Sequence, residues 1–444
     1  MTKTTITYIR IWNVAYPIIL GSIAQNLINF TDTAFLGRVG EVALGAGALG
    51  GIFYLAIMML GMGFGTGAQI IIARRYGENH LKKIGPIIDH SIIFLVILSV
   101  LTFSILQYGM DALLKVAVQS EAVFEATVDY MNIRSFGVFF AFLNMVFRAF
   151  YVGLAKTKVI TYTTFVMAGA NIILDYILIF GHWGAPEMGI EGAALASVIA
   201  EAVALVFFFI YTASSIKFKD YALFRFVHIT FTQMMAILRI SVPMMMQSFI
   251  SLSVWFVFFL FIEKLGETSL AVSNIIRSVF VLLMMPIWGF ATATNTLVSY
   301  LIGLNKQDEV MALIRKIAVL TFAGVSAIVS FGLVFPKLVL EIYTNNAVLV
   351  EMGVPVLYIV SLGALFLSIG FIYFNGVSGT GKTNISLSIE IIVLGIYLIY
   401  TYMQVYFYDA DITWVWTAEL IYGFLLALFS FSYLKTNRWK HAKV

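Results

Sequence analysis

Residues 226 positions apart match along most of this 444-residue chain, so the fold is limited to two copies of one unit. Pro17 pairs with Pro243, Gly40-Glu41 with Gly266-Glu267, and Leu44 with Leu270. Met58-Met59 pairs with Met284-Met285, Gly63-Phe64 with Gly289-Phe290, Thr66 with Thr292, and Gly77 and Asn79 with Gly303 and Asn305. The register persists to Gly137 and Gly363, Phe140 and Phe366, Gly153 and Gly379, and Lys156-Thr157 and Lys382-Thr383. It fails at three polar positions: Asp32 faces Phe258, Asn171 faces Tyr397, and Asp175 faces Thr401.

The solvent of this unit is lipid. Hydrophobic residues make up 61% of the chain and charged residues 11%, against roughly half and a quarter in a soluble domain. Crossing the hydrocarbon core takes about 20 mostly apolar residues. That rule predicts twelve spans, at 12–36, 48–72, 88–109, 130–151, 158–181, 190–214, 238–262, 270–300, 311–335, 353–375, 383–407 and 412–434. The runs are continuous rather than alternating, which argues for helices and against barrel strands. The expected class is an all-α integral membrane protein of twelve helices in two six-helix repeats. Without cysteine there is no disulfide or zinc-thiolate site. A net charge of +4, scattered through short loops, is no nucleic-acid signature.

Lys and Arg concentrate in alternate loops, including Arg74-Arg75 with Lys82-Lys83, Lys156 with Lys158, and Lys217, Lys219 and Arg225. By the positive-inside rule both termini should be cytoplasmic in a multi-pass cell (inner) membrane protein, with no cleavable leader expected. Six spans per copy is an even number, so the repeats enter the membrane the same way up, as parallel repeats. The expected division is an N-terminal lobe at 1–214, a basic cytoplasmic linker at 215–237 and a C-terminal lobe at 238–444.

A charge at bilayer depth is costly and calls for a reason. Gln25, Asn29 and Asp32 lie at i, i+4, i+7 in the first span, on one helical face. Asn171 and Asp175 share a face of the fifth span, and Ser197 and Glu201 a face of the sixth. Asp32 and Asp175 fall at nearly equal depth, about 8 Å inside the outer boundary at 1.5 Å per residue. Two carboxylates with Asn and Ser oxygens suit a hard monovalent cation or a shared proton, and would titrate as a unit. The alternative is that they tie helices together by hydrogen bonds. Acids in only one copy of a duplicated scaffold suggest a transporter whose coupling ion binds on one side.

Other intramembrane groups are weighed the same way. Glu201, Glu390 and Glu419 each stand alone on a span and either pair with a neighbouring helix or face a cavity. In the second copy Ser251, Trp255 and Phe258 replace Gln25, Asn29 and Asp32. Aromatic rings there would suit an organic cation, although such rings are more often core or lipid-facing. Pro17 permits a kink on the helix that carries Asp32 and is a candidate hinge. Arg277 reads as a structural partner near the outer side. The five histidines, His80, His90, His182, His228 and His441, read as surface residues at loops and span ends, with no metal spacing.

Gly376 to Thr383 fits the phosphate-loop pattern G-x-x-x-x-G-K-[ST] letter for letter. Its mechanism needs a strand before the loop and a soluble βαβ unit. Here an apolar span precedes it, and the first copy has Gly153-Leu154-Ala155-Lys156-Thr157 in register. The segment is a duplicated turn, and nucleotide binding is rejected.

Tyr16-Pro17 with Gln25 and Asp32, the Gly77 turn, Arg148 through Lys158, Asn171 through Asp175, and Gly192-Ala193-Ala194 with Ser197 together resemble the multidrug and toxic compound extrusion (MATE) family. The resemblance covers essentially the whole chain. It implies two six-helix lobes forming a V around a cavity, and export of cationic or amphipathic compounds in exchange for Na⁺ or H⁺. It assigns the coupling site to Asp32, Asn171 and Asp175, with Ser197 where one branch of the family commonly has Thr. Na⁺ would bind at Asp32, Asn171 and Asp175. The substrate cavity would include Gln25, Asn29, Glu201, Trp255 and Phe258. Another branch adds carboxylates in helices seven and ten, which this chain lacks. The expected protein is no enzyme, needs no cofactor besides its coupling ion, and meets small organic cations and the lipid bilayer, without nucleotide or nucleic-acid partners. The rival reading is a flippase for lipid-linked oligosaccharides, which would call for a basic cavity.

Overall fold

A computed structural model describes residues 6–227 and 229–441. Every regular element among them is helical. The first copy comprises α1 (Tyr8–Val39), α2 (Glu41–Gly77), α3 (Ile84–Tyr108), the short α4 (Met110–Ala117), α5 (Glu121–Arg134), α6 (Gly137–Gly153), α7 (Lys158–Phe180) and α8 (Gly189–Ser215). A one-turn helix, α9 (Phe218–Tyr221), lies in the linker. The second copy follows as α10 (Phe231–Glu263), α11 (Glu267–Gly303), α12 (Val310–Val334), the short α13 (Pro336–Glu341), α14 (Ala347–Gly379), α15 (Thr383–Tyr406), the short α16 (Ile412–Trp416) and α17 (Ala418–Lys435).

Among the described residues eleven helices are long and apolar enough to cross a membrane, or twelve spans with the bent pair α5–α6 counted as one. That pair turns by 50° at Ser135-Phe136. The sequence reads as one span over 130–151, because apolar composition continues through the bend. The second copy has one continuous helix, α14, in the same place. Helices α2 and α11 each run 37 residues, about 55 Å at 1.5 Å per residue. Both therefore outreach a hydrocarbon core of about 30 Å.

The duplication extends to single contacts. A Cβ on Gly153 would meet Ile72 Cγ2 at 2.6 Å and Gln69 O at 3.2 Å; on Gly379 it would meet Asn295 O at 2.6 Å and Val298 Cβ at 3.1 Å. Gln69 and Asn295, like Ile72 and Val298, are repeat partners, so the same helix crossing is built twice. The turns that follow α2 and α11 both place an asparagine, Asn79 or Asn305, in the left-handed region at φ 59°.

By packing, the chain divides into two compact units, Leu20–Ser241 and Met1–Ile19 with Val242–Val444. Both boundaries cut through a helix within two residues of a repeat proline, Pro17 in α1 and Pro243 in α10. The second unit has a core of Phe258, Ile276, Leu283, Val360, Leu367, Tyr397 and Trp416 with their neighbours. Outward-facing Ile97, Leu101, Phe165, Val206, Ile210, Phe331, Ile392 and Ile399 are exposed, as helices solvated by lipid require.

Candidate functional site

The first unit brings together Asp32 of α1, Asn171 and Asp175 of α7, and Ser197 of α8. Glycines allow the approach. Gly21 of α1 faces Ile160 and Thr164 of α7, and a Cβ on Gly192 of α8 would sit 2.6 Å from Leu178 O. With its amide nitrogen turned to the acids, Asn171 donates to Asp32 Oδ1 at 3.0 Å and to Asp175 Oδ2 at 3.3 Å. The other amide atom, then the oxygen, lies 3.4 Å from Ser197 Oγ and accepts from it. Asn171 and Asp175 are buried at 1% and 0% exposure, and Asp175 Oδ1 has no hydrogen-bond partner. Asp32 is half-buried, whereas Gln25 and Asn29, two turns and one turn earlier on α1, are exposed. Among the described residues no three His, Cys, Asp or Glu side chains cluster as a metal site.

Glu201 is held by a group the sequence reading missed. Arg134, the last residue of α5, makes a bidentate pair with it, Nη2–Oε1 at 2.6 Å and Nη1–Oε2 at 3.0 Å. Tyr54 of α2 donates to Glu201 Oε2 at 2.9 Å, and the guanidinium lies 3.6 Å from the Tyr54 ring centroid. Asn144 of α6 donates to the Glu201 carbonyl at 2.9 Å. Glu201 is thus the ion-pair partner of Arg134 between α5 and α8 rather than a free cavity acid. An apolar depression of about 430 Å³, lined by Phe140, Val198, Ile199, Ala202, Val203 and Val206, holds none of these groups.

The second unit fills the corresponding positions differently. Phe258 is 0% exposed and packs edge-on against Trp416 at 5.2 Å and at a tilt against Tyr397 at 5.5 Å. Its ring belongs to the core and presents no surface to a ligand, unlike the substrate wall the sequence suggested. Trp255 is half-buried beside Phe259 at 5.3 Å. Thr401 turns its hydroxyl back to Tyr397 O at 2.8 Å. Arg277 lies 5.3 Å from the Phe259 ring centroid. Glu390 and Glu419 are buried and bonded to tyrosines.

The phosphate-loop look-alike is a helix–turn–helix from α14 to α15, with Gly381 at φ 85°. A left-handed turn residue is what the glycine supplies there. His90 is not a surface residue: it is 0% exposed, with Nδ1 donating to Pro86 O at 2.6 Å and Nε2 accepting from Thr230 N at 3.1 Å. His80 sits 3.2 Å from Glu78, and His182 stacks on Tyr176 at 4.2 Å. His228 lies outside the described residues.

Comparison with known proteins agrees with this architecture. The MatE family model matches twice, over residues 17–177 and 243–403, at the spacing of the internal repeat. A probable multidrug resistance protein NorM from Thermotoga maritima is 27% identical over 83% of this chain and 79% of its own length. The multidrug resistance protein NorM of Vibrio cholerae is 23% identical over 77% and 75%. Among solved structures, an outward-facing multidrug resistance MATE family transporter of the MOP superfamily superposes with a TM-score of 0.88 at 22% identity, covering 96% of this chain and 95% of that one. A MOP superfamily transporter from Pyrococcus furiosus, described as having a binding pocket of reverse polarity, gives 0.85 at 21% identity over the same shares. With both repeats matched and the helical architecture shared end to end, the chain belongs to the MatE family of membrane transporters.

Proposed function

We propose that this transporter is a secondary antiporter that exports small cationic or amphipathic organic compounds in exchange for H⁺ or Na⁺. The observation that carries the reading is the Asn171 amide bridging Asp32 and Asp175, with Asp175 Oδ1 buried and unpartnered. Two carboxylates that share one donor cannot both stay charged cheaply in a low-dielectric interior. A bound monovalent cation or proton relieves that cost, and its departure restores it. Loading and unloading would therefore bias the protein between two conformations, as a ligand with different affinity for each must. Names of the relatives, multidrug resistance proteins, supply the substrate class.

Roles for the other residues follow. Ser197 orients Asn171 through the far side of its amide. Gln25 and Asn29, exposed on the face of α1 that carries Asp32, are positioned to meet substrate before it reaches the acids. Trp255 remains a substrate contact in the reading, whereas buried Phe258 does not. Pro17 is the hinge, since it falls where α1 passes from one compact unit to the other. Alternate loops rich in Lys and Arg support a cell-membrane orientation with both termini cytoplasmic, and lobes at 1–214 and 238–444 joined by 215–237. A lipid-linked oligosaccharide flippase would call for a cluster of free cations beside the site, and Arg134 of the first unit is neutralised by Glu201.

Proteoliposomes loaded with a fluorescent organic cation test the reading, with the pH gradient and the Na⁺ gradient imposed separately. One gradient should drive efflux, and Asp32→Asn with Asp175→Asn should abolish the drive. A coupling free energy of about 1–3 kcal/mol corresponds to a loss of roughly 5- to 150-fold. Gradient-driven efflux that survives both substitutions overturns the proposal.

A further inference from the structure

The second repeat lacks Asp32, Asn171 and Asp175, yet the residues in register with Gln25 and Asn171 bond to acids. Ser251, the repeat partner of Gln25, donates to Glu390 Oε1 at 2.6 Å. Tyr397, the repeat partner of Asn171, donates to Glu419 Oε1 at 2.9 Å. Tyr422 donates to Glu390 Oε1 at 2.9 Å, and the Tyr397 and Tyr422 rings meet edge to face at 5.9 Å. Two acids on α15 and α17 are therefore joined by two tyrosines, with α10 closing the cluster through Ser251.

The cluster is incomplete in a particular way. Glu390 is 2% exposed, and while its Oε1 accepts two hydroxyls, its buried Oε2 has no partner. On α10, one turn before Ser251, Gln247 Oε1 is likewise buried without a donor. A carboxylate oxygen left bare at membrane depth is costly. No cation on the surrounding elements offsets it. Between Arg239 and Glu263, α10 carries no charged side chain, and the sole charged residue of α14 is Glu351 near its start. Arg277 of α11 lies over Phe259. The ionisable groups that face the two acids are Tyr397 and Tyr422. Gly363 of α14 lets Glu419 in, since a Cβ there would sit 3.3 Å from Glu419 Cβ.

We propose that Glu390 and Glu419, linked through Tyr422 and Tyr397, form a second proton-binding site in the second repeat. The donor set fits a proton rather than Na⁺. Hydroxyl hydrogens already point at the carboxylates, and the cluster supplies too few free oxygens to replace a cation's water shell. A proton arriving at Glu390 Oε2 gives the bare oxygen a hydrogen and removes the uncompensated charge. Each tyrosine hydroxyl holds one acid, and the two rings pack edge to face between them. Only the step that makes this site part of the exchange cycle rests on the antiport reading above; proton binding itself does not.

Two measurements separate the two. Purified protein in lipid is titrated by pH-difference infrared spectroscopy, reading the carbonyl stretch of protonated carboxyls. Wild type should show titrating bands of which one is lost in Glu390→Gln and another in Glu419→Gln, with both retained in Asp32→Asn. Ser251→Ala and Tyr422→Phe keep both acids and should shift the Glu390 band without removing it, which guards against a glutamine variant that does not fold. Bands unaffected by either glutamine substitution, or acids that keep one protonation state across the whole pH range, overturn the site. In proteoliposomes, the protons counted per substrate should fall in Glu390→Gln relative to wild type. A titrating site with an unchanged proton count refutes its place in the cycle. A wild type driven by the Na⁺ gradient alone also refutes that place in the cycle, and one that ignores both gradients refutes the antiport reading; either leaves the infrared result standing.

Discussion

Arg134 and Glu201 form a buried two-point ion pair, 2.6 and 3.0 Å long, across helices α5 and α8. Their side chains are only 10% and 13% exposed. Removing one member of such a pair leaves the other charge uncompensated, at a cost of about 3–5 kcal/mol. Arg134→Leu and Glu201→Leu should each lower the melting temperature in detergent sharply, while the double substitution should recover much of the loss. Single changes that add up in a double-mutant cycle would show that the pair is not coupled. Gly137 gives an independent check: a Cβ there would run into Arg134 Nη1 and Glu201 Oε2, so Gly137→Ala should displace the pair and lower the melting temperature by less than either single substitution.

Ala155 occupies the left-handed region at φ 55°, where its repeat partner is Gly381 at φ 85°. The turn closes in both copies, with Ala155 N on Val152 O and Gly381 N on Ser378 O, each at 2.9 Å. A left-handed L-residue costs about 1–2 kcal/mol, of which the greater unfolded-state freedom of glycine cancels about half. Ala155→Gly should therefore stabilise the first repeat by up to about 1 kcal/mol, and Gly381→Ala should destabilise the second by a similar amount. Equal and same-signed melting shifts for the two would refute the argument.

Glu78, in the turn after α2, meets Arg75 Nη1 at 2.7 Å and His80 Nδ1 at 3.2 Å. Partial burial opposes its ionisation, but the Arg75 guanidinium and then His80 outweigh this and hold the carboxyl below its usual value. The unfolded chain then binds the proton more tightly, so the stabilisation is present above the ordinary carboxylate range and lost as pH falls through the lowered folded value. Screening at this partly exposed site limits it to roughly 0–1 kcal/mol. Melting scans between about pH 6 and pH 3 should show a shallower acid limb for Glu78→Gln. Parallel curves would mean that the pair contributes nothing.

The span count and the repeat could be read directly, because a membrane helix must be long and apolar and a duplicated one repeats its glycines and prolines. Asn171 and Asp175 could be paired with Asp32 because helical spacing and depth both constrain where a side chain lands. Arg134 escaped notice because the bend at Ser135-Phe136 interrupts neither the hydropathy nor the run of apolar residues. Glu390 and Glu419 looked solitary because their partners are tyrosines 32 and 22 residues away, ordinary aromatic residues in a lipid-solvated sequence. Phe258 looked like a cavity wall because one helix cannot reveal that Trp416, Tyr397 and Phe259 surround the ring.

Asp89, near the start of α3, holds the segment between the repeats. Its Oδ1 accepts from Phe224 N at 3.0 Å and its Oδ2 from Phe226 N at 2.9 Å. His90 beside it accepts from Thr230 N at 3.1 Å. The held backbone is strained: Ala222, Phe224 and Phe226 all sit at positive φ, 55°, 54° and 51°. Such conformations persist only where their surroundings over-determine them. Here the surroundings are Asp89, His90 and Gly85, where a Cβ would run into Ala222 O. Asp89→Asn turns one acceptor into a donor facing an amide N–H, which costs about 1–3 kcal/mol. The loss falls on the linker rather than on the helices, so local opening should increase while the global melting temperature changes little. Limited proteolysis should then cut the variant within residues 217–227 faster than wild type, with the fragments remaining folded together. A cleavage rate equal to wild type would mean that the linker is held from elsewhere, and that the three left-handed residues do not depend on Asp89.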